Sequence, residues 1–585
     1  MRNPQQKKRV PYGISNYSDI VRKNAFFVDK TKYIEKLEVV ENPIFLRPKR
    51  FGKSLFCSML RHYYDLGFAE RFDELFGHTW IGQHPTALKN QFIVLSFNFS
   101  TFHIGATINS IENSFKNGCN PILSFLPAEY GSLLDGMPEM VLSDPVSDNL
   151  KKLLYYLRAN NLPRLYVIID EYDNFANQLI TKHKDHLYNE LTADDSFLKT
   201  FFKTLKEGRE AGAIANVFIT GILPITIDDL ASAFNVGTFI TLNPKFESML
   251  GFTQSEVDQL LDEVYRDYEI NPSTREQVNA VIKSHYNGYH FVSTNGEALF
   301  NSTILMHFLN WFTDFKTIPP ELTDQNLKTD LSWVRRLTAS NPQKTSAFVE
   351  QLTLHNQIAY DKRFMREKFD AYQFFKESYF PISFFYLGML TKKDPFYLQL
   401  PNLNMRQIFV EYFNELNHID VSTRYAPIMQ RFIHQLDPSY VRTSLEQLFT
   451  GYWEQYISQL PEAIFQKVNE NFYRTTFFEL CSRHISDWFT WNVERSYPSG
   501  KSDLEFVGKH HTSFAGLRWV IEFKYYSNSQ FKKLKTTIEA FEMQPEDKDQ
   551  ITGYVEGLKK EYPEAQISPF VIYCFGNQGF RVFAV

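Results

Sequence analysis

The chain has 585 residues, of which 43% are hydrophobic and 22% charged, with a formal net charge of -5. That length allows about three or four domains at roughly 150 residues each, with cores large enough to stand without covalent staples. The mild acidity excludes a uniformly basic protein that coats nucleic acid, and leaves room for a local basic channel.

The start, MRNPQQKKRVPYG, carries no apolar stretch of the kind a secretory leader needs, and no apolar run reaches membrane-spanning length. No membrane association is expected, and Lys7-Lys8-Arg9 reads as a solvated terminus rather than a nuclear address. Residues 1–240 then alternate between strand and helix. Ile44-Phe45-Leu46 is a short apolar run before a basic-glycine turn and a helical pattern from Leu55 to Tyr64. Phe92 to Phe97, Leu165 to Ile169 and Ala215 to Gly221 read as further strands. Strands that are apolar throughout, separated by helices, predict a parallel sheet covered on both faces. From Thr253 the pattern turns helical, with Thr253 and Glu256 spaced as a capping box.

Asp314 to Lys344 is polar, carries Pro319-Pro320, and reads as a loop or inter-domain connection. Residues 345–465 are mostly helical, with aromatic-rich stripes. The pattern then changes to a separate α/β unit. Helical spacing runs from Phe472 to Thr490, strands span Ser502 to Val507 and Leu517 to Phe523, a helix spans Gln550 to Lys560, and a strand spans Pro569 to Phe575. The 4 cysteines, Cys57, Cys119, Cys481 and Cys574, show no zinc-type spacing, so a reducing, cytoplasmic setting is expected.

Arg47-Pro48-Lys49-Arg50-Phe51-Gly52-Lys53-Ser54 matches the second half of a phosphate-binding loop, with Arg47 where the first glycine belongs. Such a loop cradles phosphates with backbone N–H groups at a helix start. Lys53 reaches the β- and γ-phosphates, Ser54 holds Mg²⁺, and Arg50 and Gly52 belong to the same cofactor-binding set. Leu165 to Ile169 ends in Asp170-Glu171, an arrangement in which Asp170 orients the magnesium and Glu171 polarises the attacking water. Thr220, at the end of a further strand, is placed to sense the γ-phosphate. The bland alternative is that Asp170 and Glu171 only cap the next helix. The sequence supplies no arginine finger, so it points to ATP binding more directly than to hydrolysis.

Near the end, Asp503 opens one strand, and Glu522 and Lys524 lie two apart on the next, on one face. Two carboxylates there suit Mg²⁺ beside a scissile phosphate, with Lys524 orienting the water and stabilising charge. An isolated Glu-x-Lys is common as a solvated strand edge; the preceding Asp503 is what raises it. Glu479 reads as solvated or salt-bridged, and His510 and His511 as an exposed turn. Lys501, Lys509, Lys524, Lys532, Lys533 and Lys535 could form a basic approach for nucleic acid.

Several of these segments resemble known families. Pro11-Tyr12-Gly13-Ile14-Ser15, Phe27-Val28-Asp29-Lys30-Thr31, the Arg47–Ser54 loop, Ile169-Asp170-Glu171-Tyr172-Asp173, Thr220-Gly221-Ile222, Leu250-Gly251-Phe252-Thr253 and Tyr286-Asn287-Gly288-Tyr289 resemble the AAA-ATPase-like family. There an arginine in place of the first loop glycine is usual. Asp503 with Glu522-Phe523-Lys524 is similar to the PD-(D/E)xK nuclease pattern. That resemblance makes Glu494 an additional acidic metal ligand and Gln550 with Tyr554 a supporting QxxxY pair. Leu387-Gly388-Met389-Leu390-Thr391 and Pro401-Asn402 resemble the linker of two-module proteins that join both parts.

The expected fold is therefore α/β. Residues 1–300 form a P-loop NTPase-like parallel-sheet domain with a helical lid, residues 301–465 a helical linker region, and residues 466–585 a nuclease-like domain. The expected function is an ATP-binding, Mg²⁺-dependent nuclease, with DNA favoured as substrate and the nucleotide state gating cleavage. A protein partner or homo-oligomer is left open. The alternative is a non-catalytic interaction or signalling protein that combines an ATP-binding switch with a nuclease-fold binding surface.

Overall fold

The structure is a computed structural model that describes residues 7–182, 184–225, 235–323, 342–366, 371–421, 425–435 and 441–585. Its first sheet holds β1 (Pro43–Leu46), β2 (Ile93–Asn98), β3 (Leu165–Asp170), β4 (Ile214–Gly221) and β5 (Thr238–Phe239) in the order β2-β3-β4-β1-β5. Every pairing is parallel. All residues of β1 and β3 are buried, which is why both read as unbroken apolar runs. Because β1, β4 and β3 run parallel, the phosphate loop after β1 and the carboxylates at the end of β3 emerge at the same end of the sheet, one strand apart.

The Ser302–Phe315 helix carries buried Phe308 and Phe312 and runs on through Asp314 and Phe315. The Pro342–His355 helix likewise takes in Lys344. The connection expected over Asp314 to Lys344 is therefore helical at both ends, and its residues 324–341 lie outside the described residues. The middle region is largely helical, as in Leu403–Leu416 and Val441–Gln455. It also holds an unexpected small sheet of β6 (Ile358–Ala359), β7 (Thr391–Lys392) and β8 (Tyr397–Gln399), in the order β6-β8-β7.

The C-terminal unit begins with the helix Glu470–Ile485. The helical spacing through Thr490 overran: Phe489 and Thr490 begin β9 (Phe489–Tyr497), whose Thr490 pairs with Val507. β10 (Gly500–Gly508), β11 (Leu517–Tyr526), β12 (Gln566–Phe575) and β13 (Gly579–Ala584) complete a sheet ordered β13-β12-β11-β10-β9. Only the β11–β12 pairing is parallel. Trp519, Ile521 and Phe523 face the main core, while Val520 on the opposite face joins a smaller cluster with Ile551 and Tyr554 of the Pro545–Glu561 helix.

One apolar core runs from Tyr17 to Val582 through all of these parts. Aromatic rings form its seams. Phe291 meets Phe385 with ring centroids 5.9 Å apart, Phe432 meets Trp519 at 5.5 Å and Phe449 meets Phe580 at 4.9 Å. The large aromatic content is thus partly spent joining segments distant in sequence.

Candidate functional site

The β1 carbonyl end opens into the phosphate loop, where Arg50 at φ +71° and Gly52 at φ +91° turn the chain into the Lys53–Tyr64 helix. Left-handed backbone suits glycine at position 52. Behind the loop lies a cavity of about 390 Å³ lined by Lys49, Arg50, Gly52, Lys53, Ser54 and Glu171. Its opposite wall is apolar and comes from the N-terminal motifs, through Pro11, Ile14, Phe27 and Val28, and from Phe252 and Met306. The wall is pinned in place: Lys30 Nζ pairs with Glu256 Oε2 at 2.6 Å, and Asp29 Oδ2 accepts the Trp80 N–H at 2.6 Å. Glu256 belongs to the expected capping box with Thr253, which is present.

Ser54 Oγ donates to Asp170 Oδ2 at 2.6 Å, joining the loop to the carboxylate strand. Asp170 Oδ1 is buried with no hydrogen-bond partner. Burial pushes the Asp170 carboxyl up, against the Ser54 bond and the Lys53 charge. A buried carboxylate oxygen left over beside a hydroxyl is a donor set that fits Mg²⁺. Lys53 Nζ donates to the carbonyls of Arg47 and Pro48 at 3.0 and 2.9 Å. Its burial lowers the ammonium, while Glu171 and Asp170 support the charge. Glu171 adopts φ +52° at the cavity wall, a conformation that costs a non-glycine residue about 1–2 kcal/mol.

Two residues of the loop region differ from expectation. Thr220 is 1% exposed and its hydroxyl donates to Phe45 O at 2.8 Å, so the structure spends it on binding β4 to β1 and does not bring it to the cavity. Asp173 was quoted only within a motif. Its Oδ2 accepts the N–H groups of Ile222 and Leu223 at 3.1 and 2.8 Å, which fixes the loop after β4.

The second constellation forms where β10 and β11 lie side by side. Asp503 Oδ2 accepts the Phe523 N–H at 2.8 Å, and Oδ1 accepts Arg474 NH1 at 2.7 Å. Glu522 Oε1 accepts Lys524 Nζ at 3.1 Å and Gln550 Nε2 at 2.8 Å, while Oε2 is buried without a partner. Lys524 Nζ also lies 3.1 Å from Gln550 Oε1 and 3.4 Å from Asp547 Oδ1. Tyr554 OH receives Gln550 Nε2 at 2.5 Å and donates to Lys501 O at 2.8 Å. Asp503, Glu522, Lys524, Gln550 and Tyr554 thus meet in one site.

Burial, then Asp503, pushes Glu522 up to about 8. Burial alone would lower Lys524, but Glu522 and its carboxylate neighbours hold it well above the usual lysine range. The unpartnered Glu522 Oε2 next to Asp503 fits a hard divalent cation.

Glu494, expected as a metal ligand, is engaged by two arginines, one of which also binds Asp503. Its oxygens pair with Arg406 NH2 at 2.8 Å and Arg474 NH2 at 3.1 Å, which overcome the effect of burial and hold it down at about 2. Among the described residues no group of three or more His, Cys, Asp or Glu side chains is placed to hold one metal. Lys509 is 1% exposed and donates to Pro319 O at 3.1 Å, so it belongs to a seam and not to an approach surface. His510 is half-buried with its N–H on Gln277 Oε1 at 3.1 Å, while His511 is exposed. Glu479 is salt-bridged to Arg483, as one of its readings had it.

Sequence reasoning missed Glu470, Arg474, Asp547 and Arg406. Glu470, on the same helix face as Arg474, is pushed up to about 7 by burial and then by the Asp503 charge. The signal available was Arg474 on a helix with aromatic residues on either side, since a buried guanidinium needs a carboxylate.

These geometries agree with the comparisons. Residues 11–231 match the family described as Predicted AAA-ATPase, and residues 468–584 match the PD-(D/E)XK nuclease superfamily. The chain joins an AAA-ATPase-like domain to a C-terminal PD-(D/E)XK nuclease superfamily domain. No curated protein matches the chain. No helix among the described residues is long and apolar enough to cross a membrane.

Proposed function

We propose that the chain is an ATP-binding, metal-dependent nuclease that cleaves nucleic acid, with DNA as the favoured substrate and the nucleotide state of the first domain gating the second. The observation that carries this reading is the meeting of Asp503, Glu522 and Lys524 on adjacent strands, with Gln550 bridging Glu522 and Lys524. Mg²⁺ held by Asp503 and Glu522 would supply Lewis acidity at the scissile phosphate. Lys524, kept cationic by its carboxylates, orients the attacking water and stabilises the charge that builds on the phosphate. Gln550 fixes the lysine, and the Tyr554 bond to the Lys501 carbonyl fixes Gln550 against β10. The exposed Lys501, Lys532, Lys533 and Lys535 offer phosphate contacts.

In the first domain, Lys53 and the loop amides bind phosphates, Ser54 and Asp170 take Mg²⁺, and the apolar wall takes the base. Glu171 is the candidate to polarise water. Buried free thiols at all four cysteines are consistent with a cytoplasmic setting.

Labelled DNA incubated with Mg²⁺ or Mn²⁺ tests the reading. Cleavage should fall at least about 100-fold in Asp503→Ala and Lys524→Ala. Equal cleavage by wild type and both variants would overturn it. The competing binding-surface reading draws on the engagement of both Asp503 oxygens, and it expects no divalent-metal binding that Asp503→Asn weakens.

A further inference from the structure

The Leu403–Leu416 helix belongs to the middle region, yet one of its side chains ends in the nuclease domain. Arg406 NH2 donates to Glu494 Oε2 at 2.8 Å. Glu494 Oε1 accepts Arg474 NH2 at 3.1 Å, Arg474 NH1 donates to Asp503 Oδ1 at 2.7 Å, and Asp503 Oδ2 accepts the Phe523 N–H at 2.8 Å. Arg406, Glu494, Arg474 and Asp503 form a row of alternating charge, in which the two arginines and Asp503 are largely out of solvent and Glu494 is 39% exposed. Deleting one member of such a row leaves its neighbour under-paired, and the neighbour must move or find another partner. Glu494 also holds left-handed backbone at φ +55°, which persists only where surrounding contacts fix it.

The same end of this helix is tied to the phosphate loop. Its N-cap Asn402 donates through Nδ2 to Asn287 O at 2.9 Å. Next to Asn287, Tyr286 O accepts the Asn301 N–H at 3.0 Å, and Asn301 Nδ2 donates to Lys49 O at 3.4 Å. Arg406 therefore stands one helical turn from an anchor whose neighbours hold the loop that precedes Lys53.

We propose that Arg406 is a positioning residue for the nuclease site, contributed by the middle region. It fixes Glu494, Glu494 fixes Arg474, and Arg474 aims the Asp503 carboxylate against the Phe523 amide. The nuclease site is complete only with the Leu403–Leu416 helix docked, and that helix is where the nucleotide-binding loop can act on the distant carboxylates. The proposal rests on the reading of Asp503, Glu522 and Lys524 as a nuclease site.

The test uses the full chain as wild type, Arg406→Met and Arg406→Lys. It reads Mn²⁺ affinity, kcat and KM on labelled DNA, and hydrogen exchange at the Phe523 amide. Arg406→Met should lose about 10–100-fold in Mn²⁺ affinity and kcat, the usual effect of removing an outer support. KM should stay unchanged, exchange at Phe523 should quicken, and Arg406→Lys should recover part of each loss. Wild-type affinity, kcat and exchange in Arg406→Met overturn the positioning role and leave the nuclease reading standing. If the wild type neither binds Mn²⁺ nor cleaves, the nuclease reading falls, and exchange at Phe523 alone decides: faster in Arg406→Met supports the row, unchanged overturns it. Should Arg406→Met fail to fold, Glu494→Gln removes the same pairing from the nuclease side and gives the same readouts.

Discussion

Arg47 and Lys53 lie six positions apart in one loop, and both are buried cations. Arg47 is sandwiched between the rings of Phe45 and Phe291, 4.3 and 4.4 Å from their centroids. It donates to the carbonyls of Leu46, Thr241 and Glu247. Burial brings it down to about 9, and Arg47 is not among the residues that line the cavity. Arginine stands where a glycine is usual because it serves as a strut, crossing from the loop to segments about 200 residues later. Lys53 instead lines the cavity. Arg47→Met should therefore cost roughly 1–3 kcal/mol of stability, because three buried carbonyls lose their donor. Lys53→Ala should weaken ATP binding more than about tenfold with a smaller loss of stability, since the phosphate charge loses its partner. Thermal melts and nucleotide titration of both variants check this, and the opposite ranking would refute it. The sequence showed that Arg47 departs from the generic loop. Its use depends on Thr241, Glu247 and Phe291, which no local pattern connects to it.

The elements that were legible are those whose burial leaves a local signature. β1 and β3 are covered on both faces, so they read as unbroken apolar runs, and β11 shows its two faces through Trp519, Ile521 and Phe523 against Val520, Glu522 and Lys524. β5, β6 and β7 have two residues each, too few for any period. The boundary after Ile485 was lost because neither Gly nor Pro marks it, only Ser486-Asp487 ahead of Trp488 and Phe489. Motifs between elements were recognisable, but their purpose was not. Gly288, at φ +100°, would place a Cβ 1.9 Å from Pro401 O, and Gly388, at φ +78°, would place one 2.5 Å from Pro48 Cβ. Gly288 lets Pro401 of the middle region approach the turn after the Arg275–Tyr286 helix, and Gly388 lets the middle region press against the phosphate loop. Gly288→Ala should cost about 1–3 kcal/mol or more, because a backbone carbonyl has little room to yield. Gly388→Ala should displace Pro48 and weaken nucleotide binding as well as stability. Melting temperature and ATP affinity read the two effects, and wild-type values for both variants would show that the seams tolerate a methyl group.

At the scale of the molecule, the Arg275–Tyr286 helix bonds directly to the C-terminal unit. Gln277 Nε2 donates to Gly508 O at 3.0 Å, its Oε1 accepts the His510 N–H at 3.1 Å, and Glu276 accepts the Tyr562 hydroxyl. Near its end, His285 is 2% exposed with Nδ1 3.0 Å from Val281 O. Burial lowers His285 from 6.5 to about 4, with the nearby Lys509 charge acting in the same direction. The folded chain thus keeps this imidazole neutral where the unfolded chain protonates it. Between pH 6.5 and 4 the unfolded state binds more protons, so stability rises with pH. The contribution is present above about 6.5 and is lost as pH falls toward 4, reaching roughly 3 kcal/mol for a shift of this size. A variant that cannot titrate, His285→Gln, should lose less stability on acidification than the wild type. Chemical unfolding at about pH 7 and pH 4.5 should show the wild-type advantage shrinking by roughly 2–3 kcal/mol. A difference that stays constant over that interval would mean that His285 titrates in the fold as it does in the unfolded chain. Because the Arg275–Tyr286 helix bonds directly to the C-terminal sheet, the same acidification should loosen that seam first, and earlier hydrogen exchange at Gly508 and His510 than in the phosphate-loop sheet is the sign of it.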